Sequence, residues 1–122
     1  MTNKIAIVTG GNGGIGLGMA RGLAAAGAEV SIWGTRADKN AVALAELEQI
    51  GPRVSALVCD VASETDVERC MQITLATHGR IDGCFANAGI GGRGTRFDET
   101  TDEEWQRILA VNLDGVFYTF KH

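Results

Sequence analysis

The sequence predicts an α/β domain built on a parallel sheet, and three observations carry that expectation. Short, nearly continuous apolar runs alternate with amphipathic stretches along the chain. Glycine accounts for 17 of the 122 residues and proline for one, which suits long regular elements joined by tight, glycine-built turns. Between the first apolar run and the first amphipathic stretch lies Thr9-Gly10-Gly11-Asn12-Gly13-Gly14-Ile15-Gly16. A strand-to-helix turn made almost wholly of bare backbone has a purpose beyond reversing the chain.

The apolar runs fall at residues 4–9, 29–33, 54–59 and 81–86. Unbroken runs of this length mark strands buried on both faces, as in parallel sheets. Residues 16–26 carry Leu17, Ala20, Leu23 and Ala24 on one side and stop at Gly27, a helix-ending residue. Residues 37–50 place Val42, Leu44, Ala45 and Leu47 toward one face, with Glu48 beside them, and stop at Gly51-Pro52. Residues 64–77 follow Ser63, an N-cap candidate, and end near Gly79. The order βαβαβαβ implies right-handed crossovers, hence helices on both faces of the sheet.

A last helix opens with the cap signature Thr101-x-x-Glu104. Its apolar stripe is Trp105, Ile108, Leu109, Leu113, Val116, Phe117 and Phe120. Asn112 falls in the middle of that stripe and is the oddest residue of the sequence. The one long irregular stretch, 88–101, contains Gly89, Gly91, Gly92 and Gly94; loops of that size are usually functional or mobile.

Composition excludes several function classes. Hydrophobic content of 45% with 21% charge suits one globular domain, residues 1–122. A net charge of −4, without blocks of like charge, argues against nucleic acid and anionic membranes as partners. No apolar run has the length of a membrane span or a secretory leader, so a cytoplasmic location is expected. Cys59, Cys70 and Cys84 lack C-x-x-C spacing, and Cys59 and Cys84 read as buried free thiols in a reducing compartment. His78 and His122 have no ligand partners at useful spacing, so no metal site is expected.

The glycine turn fits two templates, G-x-G-x-x-G from Gly11 to Gly16 and T-G-x-x-x-G-x-G from Thr9 to Gly16. Both bring backbone N–H groups and a helix N-terminus to a dinucleotide diphosphate. No Gly-Lys-Ser/Thr closes the turn, which excludes a P-loop. The end of the second strand reads Trp33-Gly34-Thr35-Arg36. It lacks the carboxylate that would hold an adenosine ribose, and Asp38 comes too late. An arginine there suits the extra phosphate of NADP, so NADP is favoured over NAD, although no second basic residue lies in the glycine turn. Arg36 as a solvated charge is the plainer alternative.

Thr9-Gly10-x-x-x-Gly14-Ile15-Gly16, Cys59-Asp60-Val61, Ala86-Asn87-Ala88-Gly89 and Val111-Asn112 follow one another in an order that resembles the short-chain dehydrogenase/reductase family. The resemblance implies a Rossmann-type doubly wound parallel sheet, incomplete, with strand order 3-2-1-4. It implies that Gly10, Asn12, Gly13, Gly14, Ile15 and Gly16 take the diphosphate and adenosine end of NAD or NADP, with Thr35 and Arg36 beside the ribose. Asp60 would accept from the adenine amino group and Val61 would line the ring. Asn87, Ala88 and Gly89 would pass beneath the cofactor's ribose. Asn112 would be the catalytic asparagine, which distorts its helix and holds a water in a proton relay.

The family's chemistry also needs a serine and a Tyr-x-x-x-Lys pair beyond the asparagine, and the sequence is expected to end before them. Tyr118-Thr119-Phe120-Lys121 has one residue too few and reads as helix surface. The implied activity is hydride transfer between a nicotinamide and a small alcohol or ketone, with this chain the N-terminal cofactor-binding part. Residues 32–35 are faintly similar to members acting on sugar acids and polyols. Arg93 and Arg96 read as solvated loop charges rather than ligands of an acidic substrate. A non-catalytic dinucleotide-binding or subunit-pairing module is the alternative. Because the fourth strand and the last helix would expose apolar faces, a homo-oligomer or a missing C-terminal half is the expected partner.

Overall fold

In the computed structural model, which describes residues 1–51 and 53–122, strands and helices alternate. The order is β1 (Ile5–Thr9), α1 (Gly14–Ala25), β2 (Glu29–Gly34), α2 (Ala37–Glu48), β3 (Val54–Val58), α3 (Glu64–His78) and β4 (Gly83–Phe85). A 3₁₀ turn (Phe97–Glu99), α4 (Asp102–Leu109), a π-helical turn (Ala110–Asp114) and α5 (Gly115–Lys121) follow. The strands form one sheet in the order β3-β2-β1-β4. Ile7 lies opposite both Ser31 and Cys84, and Ile32 opposite Ala56, in parallel pairs throughout.

Alternation along the strands divides the core in two. Ala6, Val8, Val30 and Ile32 pack with Ala20, Leu23 and Ala24 of α1 and with Ala43 and Leu47 of α2. On the opposite face Ile7 and Trp33 pack with Val67, Cys70 and Met71 of α3. Burying each large aliphatic side chain in such clusters contributes roughly 1.5–3 kcal/mol. Polar groups drawn deep into the second layer satisfy one another: the Trp33 indole N–H lies 3.2 Å from both Ser31 Oγ and Thr74 Oγ1.

The helix ends follow local chemistry. Ser63 Oγ accepts from Asp66 N–H at the start of α3, and Gly79, with φ of +85°, ends that helix in the left-handed region. Thr101 caps α4 through Glu104 N–H. Helix α1 starts at Gly14, two residues earlier than its apolar face suggests, with Leu17 N–H already donating to Gly13 C=O at 3.1 Å. Helix α2 stops two residues early, at Glu48, and buries Asn40, Ala43 and Leu47. Val42 is 73% exposed, so the face expected from the sequence is rotated.

The fourth strand is three residues long rather than six. Asp82 interrupts it: its carboxylate accepts from Ile5 N–H at 2.9 Å while its own N–H donates to Ile5 C=O at 2.8 Å. A side chain thereby replaces a rung of the ladder. The last helix is one run of chain but not one α-helix, since the π turn spans Asn112. Trp105, Leu113, Phe117 and Phe120 are each 50–63% exposed, so much of the apolar stripe faces outward. Tyr118 departs from the expected surface position and packs half-buried against the cluster of Ile7 and Trp33. Among the described residues no helix is long and apolar enough to cross a membrane.

Candidate functional site

The carboxyl ends of β1, β2 and β3 and the segment after β4 converge on a cleft of about 200 Å³. Its walls include Gly10, Asn12, Thr35, Arg36, Asp60, Val61, Ala88 and Gly89, together with Trp33, Gly34, Lys39, Cys59, Ile90 and Val111. Sites that enclose a drug-sized ligand run roughly 300–1,000 Å³, so this cleft suits one end of a long ligand laid across the strand ends. Ligand clefts of open α/β sheets lie at this edge, outside the carboxyl ends of the strands.

The glycine turn forms one wall. Gly10 N–H donates to Trp33 C=O at 2.7 Å, tying the turn to the end of β2. Helix α1 packs closely under it, since a Cβ on Gly16 would lie 2.1 Å from Gly10 O. Gly14 has φ of +52°, and nothing lies within 4 Å of where its Cβ would be. Only glycine adopts that backbone readily, and the space beside it is open. The first turn of α1 has no acidic residue and no side-chain cap, so its N–H groups remain for an anion. Ile15, 75% exposed, projects beside them. Gly13, Gly14, Ile15 and Gly16 themselves lie outside the cleft lining, on the helix start that borders it.

A buried asparagine holds this wall in place. Asn40 Oδ1 accepts from Asn12 Nδ2 at 2.9 Å, and Asn40 Nδ2 donates to Gly34 C=O and Leu57 C=O at 3.0 and 3.1 Å. One side chain thus joins the glycine turn, β2 and β3. Its position four residues past Arg36, on the helical face of Ala43 and Leu47, was the sequence signal that could have found it. Arg36 pairs with Asp38 at 2.6 Å, both well exposed. Lys39 brings a second positive charge to the turn, with Nζ 3.4 Å from the Cβ position of Gly13. The turn itself holds no basic residue; α2 supplies one.

Opposite lies Asp60. Its Oδ1 accepts from Ala62 N–H at 3.0 Å, and its own N–H donates to Asp66 Oδ2 at 2.7 Å. That N–H, assisted by Arg69, holds the Asp66 carboxyl below the usual carboxylate range. Val61 is buried beside it. Asn87 lies just behind the cleft, where its Nδ2 donates to Thr9 C=O at 3.1 Å, and Thr9 Oγ1 accepts from Ala88 N–H at 3.0 Å. These two bonds fasten the segment after β4 to the end of β1.

Asn112 sits on the π turn with its side chain against Ile90. Oδ1 accepts from Ile90 N–H at 2.8 Å and Nδ2 donates to Ile90 C=O at 2.9 Å. Asn112 is therefore adjacent to the cleft, whose wall its neighbours Ile90 and Val111 form, without lining it. A second clamp holds the same loop: Glu104 Oε1 accepts from Arg93 N–H at 2.9 Å, and Arg107 donates to Glu104 and to Gly91 C=O. Arg107, then Arg93, holds the Glu104 carboxyl down at about 2. Arg93 and Arg96 are spent on Glu104 and Asp98 and stay exposed.

The fold gathers groups that sequence spacing keeps apart. Among the described residues, ligand atoms of Cys59, Asp66 and Cys70 lie within 4.8 Å of one another, as do those of Glu64, Glu68 and His122. The second group is an exposed ion-pair cluster with Lys121. Cys84, expected to be buried, is half-buried, whereas Cys70 is fully buried.

Residues 4–122 match the family model for short chain dehydrogenases. Momilactone A synthase of Oryza sativa subsp. japonica is 40% identical over 124 residues, covering 100% of this chain and 44% of that protein. The structure of NAD⁺-bound xylitol dehydrogenase superposes with a TM-score of 0.94 at 30% identity, over 98% of this chain and 46% of the other. An alcohol dehydrogenase from the archaeon Thermococcus sibiricus, complexed with 5-hydroxy-NADP, gives 0.91 at 34% identity, over 97% and 50%. The chain belongs to the short-chain dehydrogenase/reductase family, oxidoreductases with an NAD(P)-binding fold. It spans about half the length of the curated relatives it matches.

Proposed function

We propose that the chain is the dinucleotide-binding part of an NAD(P)-dependent oxidoreductase that moves a hydride between nicotinamide and a small alcohol or ketone. The observation that carries this reading is the glycine turn, closed beneath Gly16 and open beside Gly14, at the mouth of a cleft with Asp60 across from it. Those features suit an extended ligand with an anionic middle. Gly10, Asn12, Gly13, Gly14, Ile15 and Gly16 take the diphosphate by backbone approach and helix polarity. Asp60 accepts from the adenine amino group while Val61 packs on its ring. Asn87, through its bond to Thr9, holds Ala88 and Gly89 where the second ribose passes.

NADP is the preferred form. Arg36 and Lys39 border the ribose end, with Thr35 between Arg36 and β2. Asp38 engages Arg36 only in an exposed pair, and such pairs contribute little. A 2′-phosphate, with more charge and three acceptor oxygens, displaces it.

When bound, the nicotinamide supplies hydride chemistry; the chain's part is to bind and orient it. Asn112 is the residue assigned to the proton relay. Its helix is already distorted at that point, and its side chain meets the backbone of Ile90 at the cleft wall. No Tyr-x-x-x-Lys occurs in these residues, so binding without turnover is the expected behaviour. The exposed faces of α4 and α5 are proposed to be covered in the working protein, by a second copy or by further chain. Three free thiols suit a reducing, cytoplasmic setting.

Calorimetric titration with NADP and NAD tests the reading. Gly14→Val places a branched side chain where phosphate oxygens pass and should abolish binding in a chain that circular dichroism shows to be folded. Unchanged affinity would remove the glycine turn from the site.

A further inference from the structure

Cys59, the first residue past β3, lies against Cys70 of α3. Both are essentially buried, and their sulfurs and a carboxylate oxygen of Asp66 lie within 4.8 Å of one another. The Cys70 sulfur takes a 3.3 Å contact from Arg69 Nη2 and lies 3.5 Å from Val58 C=O. Cys59 also forms part of the cleft wall, next in sequence to Asp60. Nothing in dinucleotide binding calls for a thiol pair at this point.

We propose that Cys59 and Cys70 are a redox-modification site, forming a reversible internal disulfide with a small peroxide, and that the cross-link weakens dinucleotide binding at the adjoining Asp60. The cross-link is independent of the dinucleotide reading; the weakened binding rests on it.

The surroundings divide the labour between the two thiols. Cys59, then Arg69, holds the Cys70 thiol down, which favours the nucleophilic thiolate. Cys59 is pushed up by its bond to Cys70 and by burial, and so remains a protonated thiol. The Cys70 thiolate attacks one peroxide oxygen, the O–O bond breaks, and a sulfenic acid forms with release of hydroxide. Cys59 gives its proton to that hydroxide, and its sulfur displaces the sulfenic hydroxyl as a second hydroxide, which takes a proton from solvent. Two thiols lose two electrons and peroxide becomes two waters. Burial favours a small oxidant over a bulky disulfide.

The same geometry disfavours a metal ion, because the Arg69 guanidinium already places positive charge on the Cys70 sulfur. Closing the bond brings the sulfurs to about 2 Å, drawing the residue before Asp60 toward α3. It also removes the thiolate that Arg69 contacts, while Asp66, which holds Asp60 N–H, is paired with that same arginine. Cys84 is an internal control: burial holds its thiol up at about 11, where peroxide reacts slowly.

The test treats the full chain with hydrogen peroxide, then blocks remaining thiols and maps peptides by mass. The expected product joins the Cys59 and Cys70 peptides, lighter by two hydrogens, with Cys84 blocked and dithiothreitol restoring the starting mass. In Cys59→Ser, a cyclic 1,3-diketone should trap the Cys70 sulfenic acid, whereas Cys70→Ser should yield no such adduct at residue 59. Absence of the cross-link in the unsubstituted chain, or prior oxidation of Cys84, would overturn the proposal whatever the variants do. NADP titration of the reduced chain tests the dinucleotide reading separately. If the reduced chain binds, the oxidised chain should bind about tenfold more weakly, the scale of one hydrogen bond. Equal affinities would overturn the control of binding and leave the dinucleotide reading intact.

Discussion

The two sides of the sheet are finished to different degrees. Around β1 and β2 every strand residue except Glu29 is buried, and Asn40 satisfies backbone carbonyls of both β2 and β3. Toward β4 the sheet ends in three residues, with Phe85 38% exposed, and Trp105, Leu113, Phe117 and Phe120 turn outward. The glycine turn belongs to the closed side and Asn112 to the open one. On the proposed reading, binding a dinucleotide and completing a reaction draw on parts of the molecule with different packing: the glycine turn rests on a filled core, whereas Asn112 rests on a helix whose apolar residues face outward.

Substitutions on the two sides should separate accordingly. On the closed side Asn40→Ala takes one donor from Gly34 C=O, which keeps Cys59 N–H, takes one from Leu57 C=O, and unties Asn12. The expected loss is about 1–3 kcal/mol, read as a lower denaturant midpoint with unchanged slope. On the open side Phe117→Glu removes a ring already 60% exposed, so the midpoint should barely move. Sedimentation should instead show loss of self-association. If Phe117→Glu unfolded the chain while Asn40→Ala did not, the contrast between the sides would be reversed.

A smaller effect is expected at the ribose end. Arg36→Asp places negative charge against a 2′-phosphate and offers a ribose acceptor, so the NADP-to-NAD affinity ratio should fall about tenfold or more. An unmoved ratio would leave Arg36 a surface charge.

The smallest effect concerns acid. Asp82 is held at about 2, first by Arg80, with Ile5 N–H and Lys4 contributing; Glu104 is held at about 2 by Arg107 and Arg93. Both are depressed by the fold, so their stabilisation is complete above the ordinary carboxylate range. It is lost as pH falls through that range toward about 2. Asp82→Asn should flatten the acid limb of a stability profile, and an unchanged limb would place the acid sensitivity elsewhere.

Much of the closed side was legible in the sequence, because unbroken apolar runs and glycine spacing are local signals. The parallel order 3-2-1-4 and the residues of the glycine turn emerge where motif and pattern place them. What local pattern could not show depends on contacts between distant residues. Lys39 reaches the turn across 26 positions, Asp66 serves Asp60 from the next helix, and Cys70 meets Cys59 only because β3 and α3 pack together. The shortened β4 has the same origin: Asp82 takes a backbone partner that periodicity assigns to another strand. The buried face of α2 differs from its apolar pattern because it includes an asparagine, Asn40, whose side chain makes three hydrogen bonds that periodicity does not register.

Dinucleotide binding by the chain itself tests the central claim most directly. Titrating the reduced 122-residue chain with NADP, and in parallel Gly14→Val, measures whether the closed side is a working site. Saturable one-to-one binding by the first, lost in a folded second, is the predicted result. A chain that is folded yet takes up neither NADP nor NAD would contradict it.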